Sequence, residues 1–237
     1  MKLQLTSYSD IGGRRQNEDS VLTEEKDGCT LLITADGLGG CAAGEVASRM
    51  AVDTVQELFL AQGAQTDLCT AIAEANKRIL NEQKLGRRMM TTVAAVLLTP
   101  ERLCAAHVGD SRIYLFRNGE IVHQSLDHSL PQEAVERGEI TPEDIRSHEE
   151  RNVITRALGA EPVLEIETVE LEPDAADAML LCTDGFWEHV LESEMTATLR
   201  ESHSPEEWLG QMRQLLASRV KGRHDNNTAA VAMFLQE

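Results

Sequence analysis

Leu31-Leu32-Ile33-Thr34-Ala35-Asp36-Gly37-Leu38-Gly39-Gly40-Cys41-Ala42-Ala43-Gly44-Glu45 is the stretch on which the fold turns. An apolar, partly β-branched run stops at an aspartate, glycines follow, and an Ala-rich helical pattern begins. The run predicts a buried strand that carries a carboxylate to the rim of the fold. The glycines let backbone approach whatever that carboxylate holds. Three readings compete. Gly37-x-Gly39-x-x-Ala42 fits a dinucleotide fingerprint, but such a unit needs a second parallel strand after the helix, with an acid at its end. Here a second helical pattern follows, from about Leu68 to Leu80, and Asp53 and Glu57 fall inside the first helix. The second reading is a plain Asp-Gly turn. The third, a metal carboxylate, prevails only if the same arrangement recurs.

Outward from this stretch the chain reads as hairpins mixed with helices. Leu3, Leu5 and Ser7 alternate with polar residues, as a strand does. Ser20 to Thr23 and Cys29 to Ala35 flank an Asp27-Gly28 turn, and Asn118-Gly119 separates Ile113 to Phe116 from Ile121 to His123. Both are antiparallel hairpin signals. Thr92 to Leu98 and Leu103 to Val108 form another pair. Residues 43 to 61 predict a helix with a stripe of Ala47, Met50, Ala51, Val55, Leu58 and Phe59. Thr66 is read as the cap of the second helix. Residues 85 to 90 form a basic loop. Residues 126 to 152, polar and interrupted by Pro131 and Pro142, read as a mobile excursion of the kind that makes lids. Val153 to Leu158, Val163 to Leu171 and Ala178 to Cys182 are read as strands. Helices are expected over about 192 to 202 and 205 to 219, with a last strand over Ala229 to Leu235. Neither a repeat nor a linker is visible, so residues 1 to 237 are expected to form one α+β domain, with facing sheets under helices.

Charge and cysteine usage narrow the function. Lys and Arg number 22 against 40 Asp and Glu, a net charge of −18, which argues against nonspecific nucleic-acid binding and suits a site for divalent cations. The five cysteines are scattered without a CxxC pair, so neither disulfides nor a structural zinc is expected. No signal-peptide core and no apolar run of about 20 residues is present. A cytoplasmic protein without a membrane partner is the expectation.

The carboxylate does recur. Apolar strands end at Asp36, Asp110 and Asp184, Asp225 opens the last strand, and Glu18-Asp19 precedes another. Carboxylates converging on one rim would repel, and cations resolve that. An all-oxygen acidic set selects Mg²⁺ or Mn²⁺. Two ions would lower the pKa of a shared water and clamp an in-line displacement at phosphorus, and Arg14 would fork phosphate oxygens.

These residues resemble the PP2C (PPM) family of metal-dependent protein serine/threonine phosphatases, in its short bacterial form. The matching segments are Arg14-x-x-Asn17-Glu18-Asp19-Ser20, Asp36-Gly37-Leu38-Gly39-Gly40, Thr91-Thr92, Gly109-Asp110-Ser111-Arg112, Asp127-His128-Ser129-Leu130, Arg151 to Gly159, Thr183-Asp184-Gly185 and Asp225-Asn226-Asn227-Thr228. They come in the family's order. The resemblance implies a four-layer αββα sandwich with two central antiparallel sheets. It implies two Mn²⁺ or Mg²⁺ ions, with Asp36 bridging them, the Gly37 carbonyl and Glu18 on the second, and Asp184 and Asp225 completing the first. Asp19 would hold a metal-bound water and Arg14 the substrate phosphate. Asp110 with Asp184 matches a third-metal site, and residues 127 to 158 match the bacterial flap. Substrates would be phosphorylated serine and threonine proteins, opposite a Ser/Thr kinase in bacterial signalling, with type VI secretion control one such setting. A monomer is expected.

The chain departs from the family at Leu38, where many eukaryotic members have a histidine proposed as general acid, at Cys41, often His in bacterial members, and at Met90, commonly Gly. No metal carboxylate is lost. His107 is read as a hydrogen-bonded core histidine, and Arg112 either pairs with a carboxylate or meets substrate. Arg87-Arg88 is read as a solvated loop. A cysteine-nucleophile phosphatase is set aside because no Arg stands six residues after any Cys. A serine-hydrolase elbow, HExxH and Walker A are absent. The alternative of another class is a non-catalytic PP2C-like module that binds a phosphoprotein or regulates a kinase.

Overall fold

The computed structural model describes residues 2–38, 43–220, 222 and 224–235. The departure at Cys41 and the glycines at 39 and 40 lie outside them. Both hairpin signals hold. Asp27 (φ 51°) and Gly28 (φ 77°) turn β2 (Asp19–Lys26) into β3 (Cys29–Asp36), and Asn118 (φ 53°) and Gly119 (φ 74°) turn β6 (Arg112–Arg117) into β7 (Glu120–Gln124). Positive φ at two successive residues twists a hairpin in the sense its strands require, which is why Asp-Gly and Asn-Gly stand there.

Two five-stranded antiparallel sheets result. One is ordered β1 (Lys2–Asp10), β10 (Asn227–Leu235), β9 (Ala178–Cys182), β6, β7. The other is ordered β2, β3, β4 (Val93–Leu98), β5 (Leu103–Val108), β8 (Glu167–Leu171). The sheets face each other, and side-chain alternation along β3 records it. Leu32 joins Val96, Leu115, Leu181 and Ala232 between the sheets. Leu31, Ile33 and Ala35 point the other way, onto α1 (Gly44–Gln62) and α2 (Leu68–Gln83). On the opposite side, Phe116, Leu180 and Val231 pack under α5 (Glu192–Glu201) and α6 (Pro205–Arg219), with Trp208 edge-on to Phe116 at 5.1 Å. This is the αββα sandwich. A strand buried on both faces needs an unbroken apolar run, which explains LLITA in β3 and MLLC in β9.

Local differences from expectation have identifiable causes. The carboxylate of Asp67, not Thr66, caps α2, accepting from the Cys69 N–H at 3.0 Å; the Thr66 hydroxyl instead closes the preceding turn on the Gly63 carbonyl. Residues 153–158 form no strand; their backbone pairs with neighbours in isolated bridges, Ile154 to Ser129 and Leu158 to Thr91, without a ladder. The strand expected from Val163 begins at Glu167, and Val163 is 87% exposed. The excursion after β7 holds α3 (Leu130–Glu136) and a 3-10 turn, Pro142–Ser147, whose Ile145 is buried.

Charged side chains anchor that excursion. Arg112, whose side chain is 4% exposed, forks onto the buried Asp127 carboxylate at 2.8 and 2.7 Å. Its guanidinium lies 3.5 Å over the ring of Trp187 and also reaches the Tyr114 hydroxyl and Glu192. Arg146, from the 3-10 turn, donates to both Glu192 oxygens at 2.8 and 2.9 Å. Arg112 therefore pairs with a carboxylate. Removing one partner of a buried pair strands the other charge. Asp127→Asn should lower stability by about 3 kcal/mol, while Arg112→Met with Asp127→Leu should lose much less; urea denaturation of the three proteins checks both.

Candidate active site

The carboxylates meet at one rim because the strand ends that carry them do. Asp19 opens β2 and Asp36 closes β3, and the two are direct cross-strand partners. Asp184 starts the short α4 (Asp184–Trp187), immediately after β9 and Thr183, and Asp225 stands just before β10, which pairs with β9. Asp110 sits between β5 and β6, after Gly109 at φ 102°. Arg14, Glu18, Asp36, Gly37, Asp110, Asp184 and Asp225 all line a cleft lobe of about 620 Å³. Asp19 lies beneath it.

Backbone and hydroxyl groups hold this floor. The Thr91 hydroxyl donates to the Asp36 carbonyl at 2.8 Å, and the Asp36 N–H donates to the Thr92 hydroxyl at 2.9 Å. Thr92 in turn meets the Ser111 hydroxyl at 2.7 Å beside Asp110. The Thr183 hydroxyl donates to Asp19 at 2.9 Å, and the Trp187 indole donates to the Asp110 carbonyl at 2.9 Å. Gly37 is required by space: a Cβ there would lie 2.3 Å from the Gly44 carbonyl oxygen and 2.6 Å from that of Glu18. At Gly185 a Cβ would lie 2.1 Å from the Asn226 oxygen. Close approach of backbone thus accounts for both glycines.

Sequence reading missed two residues here. Asn226 accepts from the Glu18 N–H at 2.9 Å and donates to the carbonyls of Ile11 and Gln16 at 2.8 and 3.0 Å, tying the Arg14 loop to the last strand. An Asn beside a candidate metal Asp was the available signal. Glu188, one turn past Asp184, has no signal of its own. Leu38 and Met90 line the cleft as apolar walls. His107 is buried away from it, 2.7 Å from the Leu126 carbonyl and stacked on His128 at 4.7 Å. His107, His128 and Glu167 bring ligand atoms within 4.8 Å of one another, but the Arg156 guanidinium lies 3.3 Å from the outer nitrogen of His128, against any cation there. Arg87 and Arg88 are exposed and line neither lobe of the cleft.

The electrostatics of the floor suit a cation. Burial, then the charges of Asp19, Asp184 and Asp110, push the Asp36 carboxyl well above its usual range, and Asp36 and Asp184 lie within hydrogen-bond reach of each other. Asp110 is raised by burial and by Asp184 and Asp127. Burial and Asp225 raise Asp184 to about 6. Burial raises Asp19 and Glu188 to about 7, with Asp184 adding to each. One Asp19 oxygen is buried without any hydrogen-bond partner. Arg14 pairs with Asp225 in this state. An orphaned oxygen, mutually repelling buried carboxylates and an all-oxygen donor set fit Mn²⁺ or Mg²⁺.

The chain is similar to known proteins in both sequence and fold. The sequence profile described as Protein phosphatase 2C matches residues 8–220. The serine/threonine phosphatase stp of Listeria welshimeri is 37% identical over 203 residues, covering 81% of this chain and 80% of that protein. The catalytic domain of the serine/threonine protein phosphatase PstP, solved in complex with two manganese ions, superposes with a TM-score of 0.83 at 33% identity, covering 99% of both chains. PppA, described as a key regulatory component of the type VI secretion system in Pseudomonas aeruginosa, superposes with a TM-score of 0.81 at 32% identity over 98% of both.

The raised carboxyls set a pH dependence. A carboxyl whose folded pKa is raised stabilises the fold below its ordinary value near 4, and that contribution is lost as pH climbs through the folded value. In chelator, stability should therefore fall as pH rises through about 6 to 7, the values of Asp184, Asp19 and Glu188. Thermal melts from pH 5 to 8 should drop by roughly 5 °C, Asp184→Asn should flatten the slope, and Mn²⁺ should restore the upper end. A chelated protein whose melting temperature rises over this range contradicts the assignment.

Proposed function

The chain belongs to the protein phosphatase 2C family of metal-dependent serine/threonine phosphatases, and we propose that it hydrolyses phosphoserine and phosphothreonine in proteins at a binuclear Mn²⁺ or Mg²⁺ centre. The observation that carries this reading is the gathering of Asp36, Asp184, Asp225, Asp110 and Glu18 with Arg14 around one lobe. Asp36, Asp184 and Asp225 would hold one ion, and Asp36, Glu18 and the Gly37 carbonyl the other. Asp19, with one buried oxygen left without a hydrogen-bond partner, would hold a water of that centre. Asp110 with Asp184 would hold a third ion. When bound, the ions supply Lewis acidity: they lower the pKa of water and draw charge off the phosphoryl oxygens.

The protein's own groups do the rest. Arg14 pairs with Asp225 while that carboxylate lacks a cation; once it is occupied, the guanidinium is free to fork two phosphate oxygens and orient phosphorus for in-line attack. Among the described residues no side chain is placed as a covalent nucleophile, and in this reading water takes the phosphoryl group directly. Leu38 has no ionisable group, so the leaving alcohol is protonated from elsewhere, and its side chain gives the lobe an apolar wall. Residues 127–158 act as a flap, held at its root by Asp127 and in its middle by Arg146.

In this reading the chain works as one catalytic domain over residues 1–237, as a monomer in the cytoplasm, opposite a Ser/Thr kinase. Among the described residues no helix is long and apolar enough to cross a membrane. The likeness to PppA supports control of type VI secretion as a setting. A non-catalytic binding module would be expected to lose metal carboxylates, and none is lost.

Purified protein should release phosphate from a phosphothreonine peptide with Mn²⁺ or Mg²⁺ and stop in chelator. Asp36→Ala and Asp184→Ala should each cut kcat by about 1,000-fold or more with circular dichroism unchanged. Full activity in either variant would sink the metal assignment.

A further inference from the structure

The cleft has a second lobe, and its charge runs against the chain. Beyond Asp184 and Asp225 a cavity of about 650 Å³ opens, where Arg15, Arg151 and Arg219 gather with His189 and His224. Acids outnumber Lys and Arg by 40 to 22 overall, yet four arginines, counting Arg14, line this one space. Its carboxylates are Asp184, Glu188 and Asp225. Asp184 and Asp225 are turned over to cations in the proposed function, and Glu188 is matched by Arg151 at 3.1 Å. Arg219 is braced by Glu194 and the His189 carbonyl at the end of α6. Arg15 is exposed and makes no ion pair or side-chain hydrogen bond among the described residues. With Asp184 and Asp225 holding cations, Arg14 and Arg15 are left without a carboxylate partner in this lobe, and the Arg219 guanidinium is held at its wall.

The two lobes are continuous. Arg14, Arg15, Asn152, Asp184 and Asp225 line both, so a group held by Arg14 sits at the boundary between them. A polypeptide whose phosphoryl group reaches the metal floor must pass close to the arginine lobe. Guanidinium forks match the paired oxygens of carboxylates and phosphoryl groups alike.

We propose that this second lobe binds another anionic group of the same substrate polypeptide, a carboxylate or a second phosphoryl group flanking the phosphoresidue under hydrolysis. The inference rests on the phosphatase reading and narrows its substrates to segments that are acidic or doubly phosphorylated. Arg15 and Arg219 are then specificity residues, not catalytic ones: they act on substrate affinity and leave the hydrolytic step alone.

The test uses the Mn²⁺-loaded protein and three phosphothreonine peptides of one length, with neutral flanks, with Asp and Glu flanks, or with a second phosphothreonine. Anionic flanks should lower KM by roughly 5- to 10-fold with kcat nearly unchanged. Arg15→Gln with Arg219→Gln should erase that advantage while hydrolysis of p-nitrophenyl phosphate, too small to reach the lobe, stays as it was. Arg15→Gln alone guards against misfolding, since Arg15 braces nothing, and should erase part of it. A gain with both anionic peptides assigns a general anion site, and a gain with the doubly phosphorylated peptide alone assigns a phosphoryl site. Equal KM for neutral and anionic flanks, or a preference that survives the double variant, overturns the lobe. Fluorescence anisotropy of the same peptides separates the two claims. Absent turnover of every substrate overturns the phosphatase reading, whereas equal affinity for all three peptides overturns the lobe alone.

Discussion

Buried carboxyl groups at the base of one cleft cannot all ionise unless something positive lies among them. Asp36, Asp110 and Asp19 are each pushed upward by burial and by the charge of Asp184 among their neighbours, and Asp184 by burial and Asp225. Without cations, the fold resolves this by keeping protons on the floor and by pulling Arg14 onto Asp225. Both arrangements are reversible. In the proposed function these carboxylates would hold divalent cations in place of protons, and Asp225 so engaged would leave Arg14 free to clamp phosphate. The repulsion that weakens the empty fold is the source of its affinity for metal.

Such a floor requires a rigid frame, because carboxylates free to move would relax apart. Two sheets packed face to face provide it. Asp19 and Asp36 are locked as cross-strand partners, and the Thr91, Thr92 and Ser111 hydroxyls tie β3 to the next strand and to the Asp110 turn. Thr183 and Asn226 do the same between the sheets, joining Asp19 to the Asp184 strand and the Arg14 loop to the last strand. Each of these bonds uses a small polar side chain whose partner lies tens of residues away or more. They set ligand positions without adding charge to a site that already has an excess of it.

That long reach also explains which parts were legible in the sequence. Strand ends, Asp-Gly and Asn-Gly turns and the stripe of α1 are local signals, and they led to the right sheets. The recurring Asp at strand ends was legible because each instance has the same short signature. Asn226 was not, since its partners Ile11 and Gln16 are more than 200 positions distant. Arg112 and Asp127 each carry a family motif, but only the β6–β7 hairpin that folds between them shows that they meet. Val153 to Leu158 has strand-like composition yet lies against single residues of other segments, so no ladder forms. At Thr66-Asp67 the cap was displaced by one residue because both side chains are competent and the preceding turn claimed the threonine.

The excursion after β7 and the candidate metal floor are joined by one chain of contacts. Trp187 donates to the Asp110 carbonyl and lies beneath the Arg112 guanidinium; Arg112 grips Asp127 at the root of the flap, and Arg146, in its middle, grips Glu192 beside Arg112. A displacement of the flap therefore strains a chain of contacts that ends on the backbone of a candidate metal ligand. Because Arg112 and Asp127 are buried and charged, losing their fork would strand both charges. If residues 127–158 act as the proposed flap and Asp110 holds a cation, a substrate that fixes the flap would stabilise the Asp110 turn in the same step, and the cation would favour that flap position in return, since coupling between two sites is reciprocal.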